Sequence, residues 1–181
     1  MPPPRREMEG RTRMTTTLEK AQVSLPSDRE VRVTRAFKAP RALVYKAYTT
    51  PELLQRWMLG PPGWTMPVCE MDVRVGGKFR WRWRSEEDGK EFGFHGEFRE
   101  VQPPVRLVHT EIYDPGDVGG EMGGEALIVV EFSENAGVTI VTSVMDFGSQ
   151  EARDAAMATG MTDGTEMSYQ QLDALLAGIG A

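Results

Sequence analysis

Hydrophobic and polar residues alternate along much of the chain, and this period-two pattern predicts β-strands. Val31, Val33 and Phe37 alternate with charged or polar residues, which indicates a first half-buried strand. Short alternating runs then recur between turn signals from about Met66 to Phe147, which predicts about six more strands. The two regions together predict an antiparallel sheet of six to seven strands.

The strongest alternation lies at residues 78–84, where basic and aromatic side chains alternate at every position. A turn at 86–89 connects this strand to the next one, which has aromatic residues at even positions. Two paired strands would therefore place many large rings on one face of the sheet. These residues are Phe79, Trp81, Trp83, Phe92, Phe94 and Phe98.

Helical spacing replaces the alternation in two regions. Pro40 and the Thr50-Pro51-Glu52 triplet are typical of helix starts, and each precedes apolar residues three or four positions apart. The Gly-Pro-Pro-Gly turn at 60–63 ends the second of these helices. Near the C-terminus, Gly160 interrupts the pattern, and residues 163–178 would form a helix about 24 Å long.

The order of elements predicts an α+β fold: one strand, two short helices, about six strands and a long C-terminal helix. An antiparallel sheet with an apolar face must be covered, and the last helix is the only long element available for this. Residues 1–27 have no periodic apolar pattern, so we expect a flexible N-terminal tail followed by a single domain at 28–181. We also expect the glycine-rich segment 114–124 to be a flexible loop.

Composition narrows the classes of function. The net charge of −6 argues against a protein that binds nucleic acid through its phosphates. The longest strongly apolar run, residues 126–130, is too short to cross a membrane, and no secretory signal is visible. The chain has a single cysteine, Cys69, and two histidines, so we expect no disulfide, no metal site, no cofactor and a cytoplasmic location.

Five segments carry a resemblance to a known family. They are DREV at 28–31, RAFKAPR at 35–41, TPELLQRW at 50–57, DVRVGG at 72–77 and GEFREVQPPVRLV at 96–108. In this order they resemble the START-like (SRPBCC) superfamily. Within it they are similar to bacterial Aha-type proteins, which resemble the C-terminal domain of the activator of the ninety-kilodalton heat-shock chaperone ATPase. The resemblance covers roughly residues 28–178.

The resemblance implies a helix-grip fold, in which a curved antiparallel sheet wraps the C-terminal helix around a deep cavity. Members of the superfamily bind lipids, sterols, polyketides or other apolar molecules, which implies a small apolar or amphipathic partner. Two alternatives stay open: an acid/base enzyme similar to a polyketide cyclase in the same cavity, and a co-chaperone that contacts a heat-shock chaperone ATPase. The oligomeric state, including a homodimer, also stays open.

The aromatic face of the sheet and the start of the last helix indicate where a ligand would bind. Small side chains on the helix would face large rings, and space that neither fills is costly unless a ligand or water occupies it. The alternative is ordinary core packing of the rings. The candidate ligand-binding residues are Trp57, Trp64, Met66, Phe79, Trp81, Trp83, Phe94, His109, Glu111, Tyr113, Met145, Met161, Gly164 and Ser168.

His109 and Glu111 are the candidate catalytic residues. Alternation places them on one face of the fifth strand with Tyr113. If this face is the inner one, they are polar groups in an apolar pocket, where they would orient a ligand or act as an acid/base pair. The opposite phase would turn Val108 and Thr110 inward and leave the histidine in solvent.

Trp57 and Trp64 flank the Gly-Pro-Pro-Gly turn, and two interpretations stay open for them. They would either gate one end of the cavity or fix the short helices to the sheet. Under the second interpretation, Trp57→Ala should cost about 3–5 kcal/mol in stability whether or not a ligand is present.

Overall fold

The computed structural model describes residues 18–120 and 123–180 of the chain. The strands are β1 Gln22–Ser24, β2 Glu30–Phe37, β3 Trp64–Met71, β4 Lys78–Ser85, β5 Glu91–Gln102, β6 Arg106–Asp114, β7 Ala126–Asn135 and β8 Val138–Asp146. The helices are α1 Arg41–Thr49, α2 Pro51–Trp57, α3 Gln150–Ala158 and α4 Met161–Ile179. A short 3-10 turn, Gly116–Val118, lies in the loop predicted at 114–124, of which residues 121 and 122 are outside the described residues.

The strands form one curved antiparallel sheet in the order β1-β2-β8-β7-β6-β5-β4-β3, and this confirms the predicted α+β helix-grip fold. The sheet has one strand more than predicted. The additional strand is β1, whose three residues pair with β2 within the segment assigned to the N-terminal tail. Three residues are too few to show an alternating pattern, so only the pairing defines this strand. Residues 1–17 of the predicted tail lie outside the described residues.

The helices α1, α2 and α4 begin within two residues of the starts that the sequence predicts. Pro51 occupies the first turn of α2, although the Thr50 side chain makes no capping hydrogen bond. Ser149 caps α3, because its hydroxyl accepts a hydrogen bond from the Ala152 N–H at 3.1 Å. Gly160 separates α3 from α4 with a φ of 78°, a left-handed conformation that glycine adopts without strain.

Helix α4 lies on the inner face of the sheet and is fixed to β2 by a buried arginine. Arg35 is 3% exposed, and its guanidinium donates hydrogen bonds to Asp173 Oδ2 at 2.6 Å and to Glu166 Oε1 at 3.4 Å. Paired carboxylates are needed there, because an unpaired buried charge is strongly destabilising. Glu166 also accepts a hydrogen bond from the Ala21 N–H at 2.7 Å, so α4 holds the segment before β1 as well.

Candidate functional site

Strand register defines which side chains share the inner face of the sheet. Residues directly opposite each other on neighbouring antiparallel strands point to the same side. Trp81 of β4 lies opposite Phe94 of β5, which in turn lies opposite Tyr113 of β6. Four residues further along β5, Phe98 lies opposite His109. The aromatic face predicted from β4 and β5 therefore continues onto β6.

Strand β6 is oriented so that the His109 side chain lies on the inner face of the sheet. His109 lies opposite Ile128 of β7, which belongs to the buried core, and its ring contacts other inner-face rings. The ring centroids of His109 and Phe79 are 5.3 Å apart, and those of His109 and Phe98 are 5.9 Å apart. Alternation then places Leu107, Glu111 and Tyr113 on the same face. Residues 108, 110 and 112 belong to the outer face.

A carboxylate fixes the orientation of the His109 ring. His109 is 7% exposed, and its Nε2 lies 3.0 Å from Glu111 Oε1. An ionised carboxylate only accepts hydrogen bonds, so the proton of a neutral imidazole is on Nε2. The other ring nitrogen, Nδ1, is then an acceptor with a free lone pair. The structure thus brings the two candidate catalytic residues within hydrogen-bonding distance of each other.

Two buried ring nitrogens on this face have no hydrogen-bond partner among the described residues. They are His109 Nδ1 and Trp81 Nε1, and the two rings lie 6.0 Å apart between centroids. Trp81 is 6% exposed. A buried polar group without a partner costs about 1–3 kcal/mol. Such atoms are rare in native proteins, and each needs an explanation.

The side chains around this pair are covered only in part. Phe94, Glu111, Tyr113 and Met145 all have intermediate exposure, and they form a rim between the buried rings and solvent. Burial, with a smaller contribution from the charge of Asp114, raises the pKa of Tyr113. Its hydroxyl therefore keeps its proton at neutral pH and can donate a hydrogen bond at the rim.

Helix α4 closes on the sheet along only part of its length. Its buried residues all lie between Ser168 and Leu176, and none of residues 161–167 is buried. Met161 and Thr165 share the helix face of Ser168 and Leu172, so they would also be buried if the helix packed evenly. A methyl group added at Gly164 would contact nothing within 4 Å. The first two turns of α4 thus leave space beside them.

Several predicted site residues have protein partners and pack elsewhere. Trp57 is 1% exposed, lies between Tyr48 of α1 and Tyr169 of α4, and donates a hydrogen bond to Ala47 O at 3.0 Å. The Trp83 indole donates to Met58 O at 2.7 Å. The Ser168 hydroxyl accepts from the Gly60 N–H at 2.8 Å. These three side chains connect the loop after α2 and the helices to one another and to the sheet.

The other predicted residues divide between the core and the margin of the inner face. Met66 and Phe79 are buried, with exposed fractions of 5% and 2%. Trp64 is partly covered, and its ring makes an edge contact with Phe92 at 5.2 Å between centroids. Trp64 therefore lies next to the rim and Trp57 lies far from it in the helical core.

Two further inner-face residues, which the sequence pattern did not predict, lie on the strands next to the orphan nitrogens. Cys69 of β3 lies opposite Trp81, and Gly96 of β5 lies opposite Phe79. The register of β3 shifts between Thr65 and Val68, so a simple alternation count along this strand assigns the wrong face. For Gly96, a break in a run of aromatic residues at even positions was the available signal.

Aromatic side chains fill much of the space that the sequence assigns to a deep cavity. The rings of Phe79, Trp81 and Phe98 pack against one another and against His109. Two hollows of about 330 and 300 Å³ lie elsewhere on the described surface. The first is lined by the outer-face residues Glu70, Lys78, Arg80 and His95, among others, and the second lies between α2 and α4. Neither opens between α4 and the inner face.

The described residues contain no group of three or more His, Cys, Asp or Glu side chains arranged to hold a metal ion. In the same part of the chain, no helix is long and apolar enough to cross a membrane. Two outer-face arginines of β4 pair with acidic residues: Arg82 with Asp114 at 3.0 Å, and Arg84 with Glu91 at 2.6 Å. Ion pairs with acidic residues of neighbouring elements therefore explain much of the run of basic residues in this strand.

Comparison with solved structures supports the fold. A Rhodobacter sphaeroides protein is 32% identical, with 88% of this chain and 99% of that chain covered and a TM-score of 0.80. A Mycobacterium smegmatis protein is 25% identical, with 86% and 95% covered and a TM-score of 0.75. An AHSA1-like protein from Aeromonas hydrophila is 21% identical, with 79% and 92% covered and a TM-score of 0.61, and this match concerns the fold alone.

No curated protein matches the chain. A family model does match, over residues 38–177, and it describes the activator of Hsp90 ATPase homolog 1-like proteins. The matched segment contains both short helices, the strands β3 to β8 and nearly all of α4. The chain therefore belongs to the family of activator of Hsp90 ATPase homolog 1-like proteins, within the START-like superfamily.

Proposed function

We propose that this protein binds a small apolar or amphipathic molecule on the inner face of the sheet, beside the first turns of α4. The observation that carries the proposal is the pair of buried nitrogens, Trp81 Nε1 and His109 Nδ1, which have no partner in the described part of the chain. A bound molecule that hydrogen-bonds to them would remove the cost of leaving them unpaired. Their aromatic surroundings would bury its apolar part.

The uneven closure of α4 supports the same location. The helix is buried from Ser168 onward, and its earlier turns stand beside open space at Gly164. The rim formed by Phe94, Glu111, Tyr113 and Met145 is partly exposed, so it offers a route from solvent. In this proposal the ligand enters at the rim and lies against the rings of β4 and β6, beside the first turns of α4.

The name of the matching family refers to activation of a chaperone ATPase, which is a different kind of function. Function depends on the site and differs among proteins that share a fold. The features of the inner face favour a small ligand, because the orphan polar atoms are buried and the surface of a folded chaperone cannot reach them.

Native mass spectrometry of the freshly purified protein tests the proposal. We expect a species heavier than the polypeptide by the mass of a small molecule, and denaturing conditions should release this mass. Addition of fatty alcohols, sterols or aromatic polyketides to the ligand-free protein should raise its melting temperature, because a ligand that binds only the folded state stabilises it. A polypeptide mass alone, with no thermal shift from any of these compounds, would refute the proposal.

A pair of glycine variants in α4 provides a matched control. Gly164→Leu fills the space beside the first turns, and Gly178→Leu makes the same change at an exposed position near the end of the helix. Both variants should gain about 0.5–1 kcal/mol of stability, because leucine favours helices more than glycine does. We expect Gly164→Leu to lose the bound mass and the thermal shift, and Gly178→Leu to keep both.

A further inference from the structure

The two orphan nitrogens differ in hydrogen-bonding character. Trp81 Nε1 carries a hydrogen and can only donate. His109 Nδ1 is an acceptor, because the Glu111 carboxylate 3.0 Å from Nε2 holds the proton of the neutral ring on that atom. The rings lie 6.0 Å apart between centroids, at an angle of 73°. Two neighbouring rings of the inner face thus carry one donor and one acceptor, and neither atom has a partner in the described residues.

We propose that this donor–acceptor pair selects ligands that carry a hydroxyl group, an alcohol or a phenol, on an apolar or aromatic body. The inference rests on the proposed function and specifies the chemistry of the ligand at the same site. A hydroxyl oxygen accepts from the Trp81 N–H, and its hydrogen is donated to His109 Nδ1. One small neutral group therefore satisfies both orphan atoms.

Other oxygen groups satisfy the pair only in part. An ether or a ketone accepts from Trp81 and has no hydrogen to donate, so His109 Nδ1 stays without a partner. A hydrocarbon leaves both nitrogens unpaired. Specificity of this kind is large, because a site built for a hydroxyl group leaves buried polar atoms unsatisfied when the group is missing.

The charge around the pair disfavours an anionic ligand. A carboxylate would meet the lone pair of His109 Nδ1, and the negative charge of Glu111 lies just behind the same ring. The inner-face cation Arg35 of β2 is already paired with Glu166 and Asp173 of α4 and does not offset this charge. The site therefore favours neutral hydroxyl compounds over ionised fatty acids of similar size.

The test uses three probes with the same aromatic body: 2-naphthol, 2-methoxynaphthalene and 2-naphthoate. Their dissociation constants for the ligand-free protein are measured by isothermal titration calorimetry. We expect 2-naphthol to bind at least about tenfold more tightly than the ether, since the ether leaves one buried acceptor unpaired. We expect 2-naphthoate to bind more weakly than either neutral probe.

Four variants assign the preference to the two nitrogens. His109→Phe and Trp81→Phe each remove one nitrogen and keep a ring, so the preference for 2-naphthol over the ether should fall to about twofold or less. His95→Phe changes the other histidine, which belongs to the outer face. Trp83→Phe removes an indole N–H that already bonds to Met58 O. Both controls should retain the wild-type preference.

Equal affinity of the wild-type protein for 2-naphthol and its methyl ether would overturn the inference, and so would a preference that His109→Phe leaves unchanged. Failure of all three probes to bind would overturn it as well. The proposed function is judged separately, by the native mass and by the Gly164→Leu and Gly178→Leu pair. If Trp81→Phe or His109→Phe fails to fold, the ratio of the wild-type dissociation constants for 2-methoxynaphthalene and 2-naphthol decides the inference by itself.

Discussion

The two halves of α4 face the rest of the molecule in different ways. From Ser168 onward the helix is part of a closed core, where Leu172 is fully buried and Tyr169 contacts Phe37 and Trp57. Before Ser168 no residue of the helix is buried. Under the proposed function, one half of the helix contributes stability and the other half borders the binding site, so mutations in the two regions should have separable effects.

The largest effect should come from the closed half. Trp57→Ala removes a fully buried indole that packs against Tyr48 and Tyr169 and donates to Ala47 O. We expect a loss of about 3–5 kcal/mol in the free energy of unfolding, as for other buried tryptophans replaced by alanine. Urea denaturation measures this loss. The loss should be the same with and without a bound ligand.

Trp64→Ala is the matched control for this prediction, because Trp64 lies at the partly covered margin of the sheet. Its loss of stability should be clearly smaller. A Trp57→Ala protein that is as stable as the wild type until ligand is added would show that Trp57 belongs to the binding site and would abolish the distinction between the two halves.

An effect of intermediate size on stability should distinguish Gly96 of β5 from Gly164 of α4. A methyl group at Gly96 would overlap Thr110 O of the neighbouring strand and would lie 2.8 Å from Phe79 Cε1. Gly96→Ala should therefore cost about 1–3 kcal/mol by overpacking. Gly164→Ala, where space is open, should instead gain about 1 kcal/mol from helix propensity. Thermal unfolding of both variants checks whether Gly96→Ala lowers the melting temperature and Gly164→Ala raises it. A higher melting temperature for Gly96→Ala would contradict the close packing described for β5.

The smallest effect concerns Cys69, which lies opposite Trp81 on the inner face. Burial, with a smaller contribution from the charge of Glu52, raises the pKa of its thiol from 9.0 to about 12. Alkylation by iodoacetamide at pH 8 should be at least about a hundredfold slower in the folded protein than in urea, because only the thiolate reacts. Equal rates in the two states would mean that water reaches the inner face freely.

The same thiol gives a pH dependence of stability. The folded protein keeps the Cys69 proton up to a pH of about 12, whereas the unfolded chain loses it above about 9. The unfolded state therefore binds fewer protons in this window, so stability should fall as the pH rises through it. Cys69→Ala should remove this part of the decline, and urea titrations at pH 8 and pH 10.5 compare the two proteins.

Much of the fold could be predicted from local sequence. The alternation at 78–84, the proline-led starts of α1 and α2 and the break at Gly160 all reflect local rules, and the structure has these elements. Strand β1 could not be predicted, because its three residues are fixed by pairing with β2 and carry no pattern of their own. Long-range pairing of this kind leaves little trace in the sequence.

The site was predictable only at the level of residue type. Aromatic residues and His109 could be placed on strands, but the irregular register between Phe98 and Glu100 decides how β6 lines up with β5. The partner of Trp83 and the absence of one for Trp81 depend on where Met58 lies in space, which no spacing rule contains. Alternation likewise gave no reason to separate Trp57 from the site, since that required the packing of three helices.

The loop after α2 connects helix α4 to strand β4 of the sheet. Gly60 bonds to Ser168 and Gln171 of α4, and two residues earlier Met58 O accepts the indole hydrogen of Trp83. Any change in the spacing between α4 and the sheet would therefore alter the surroundings of that indole. A shift of α4 should therefore change the contribution of Trp83 to the intrinsic fluorescence, and comparison with Trp83→Phe isolates this contribution from that of the other three tryptophans.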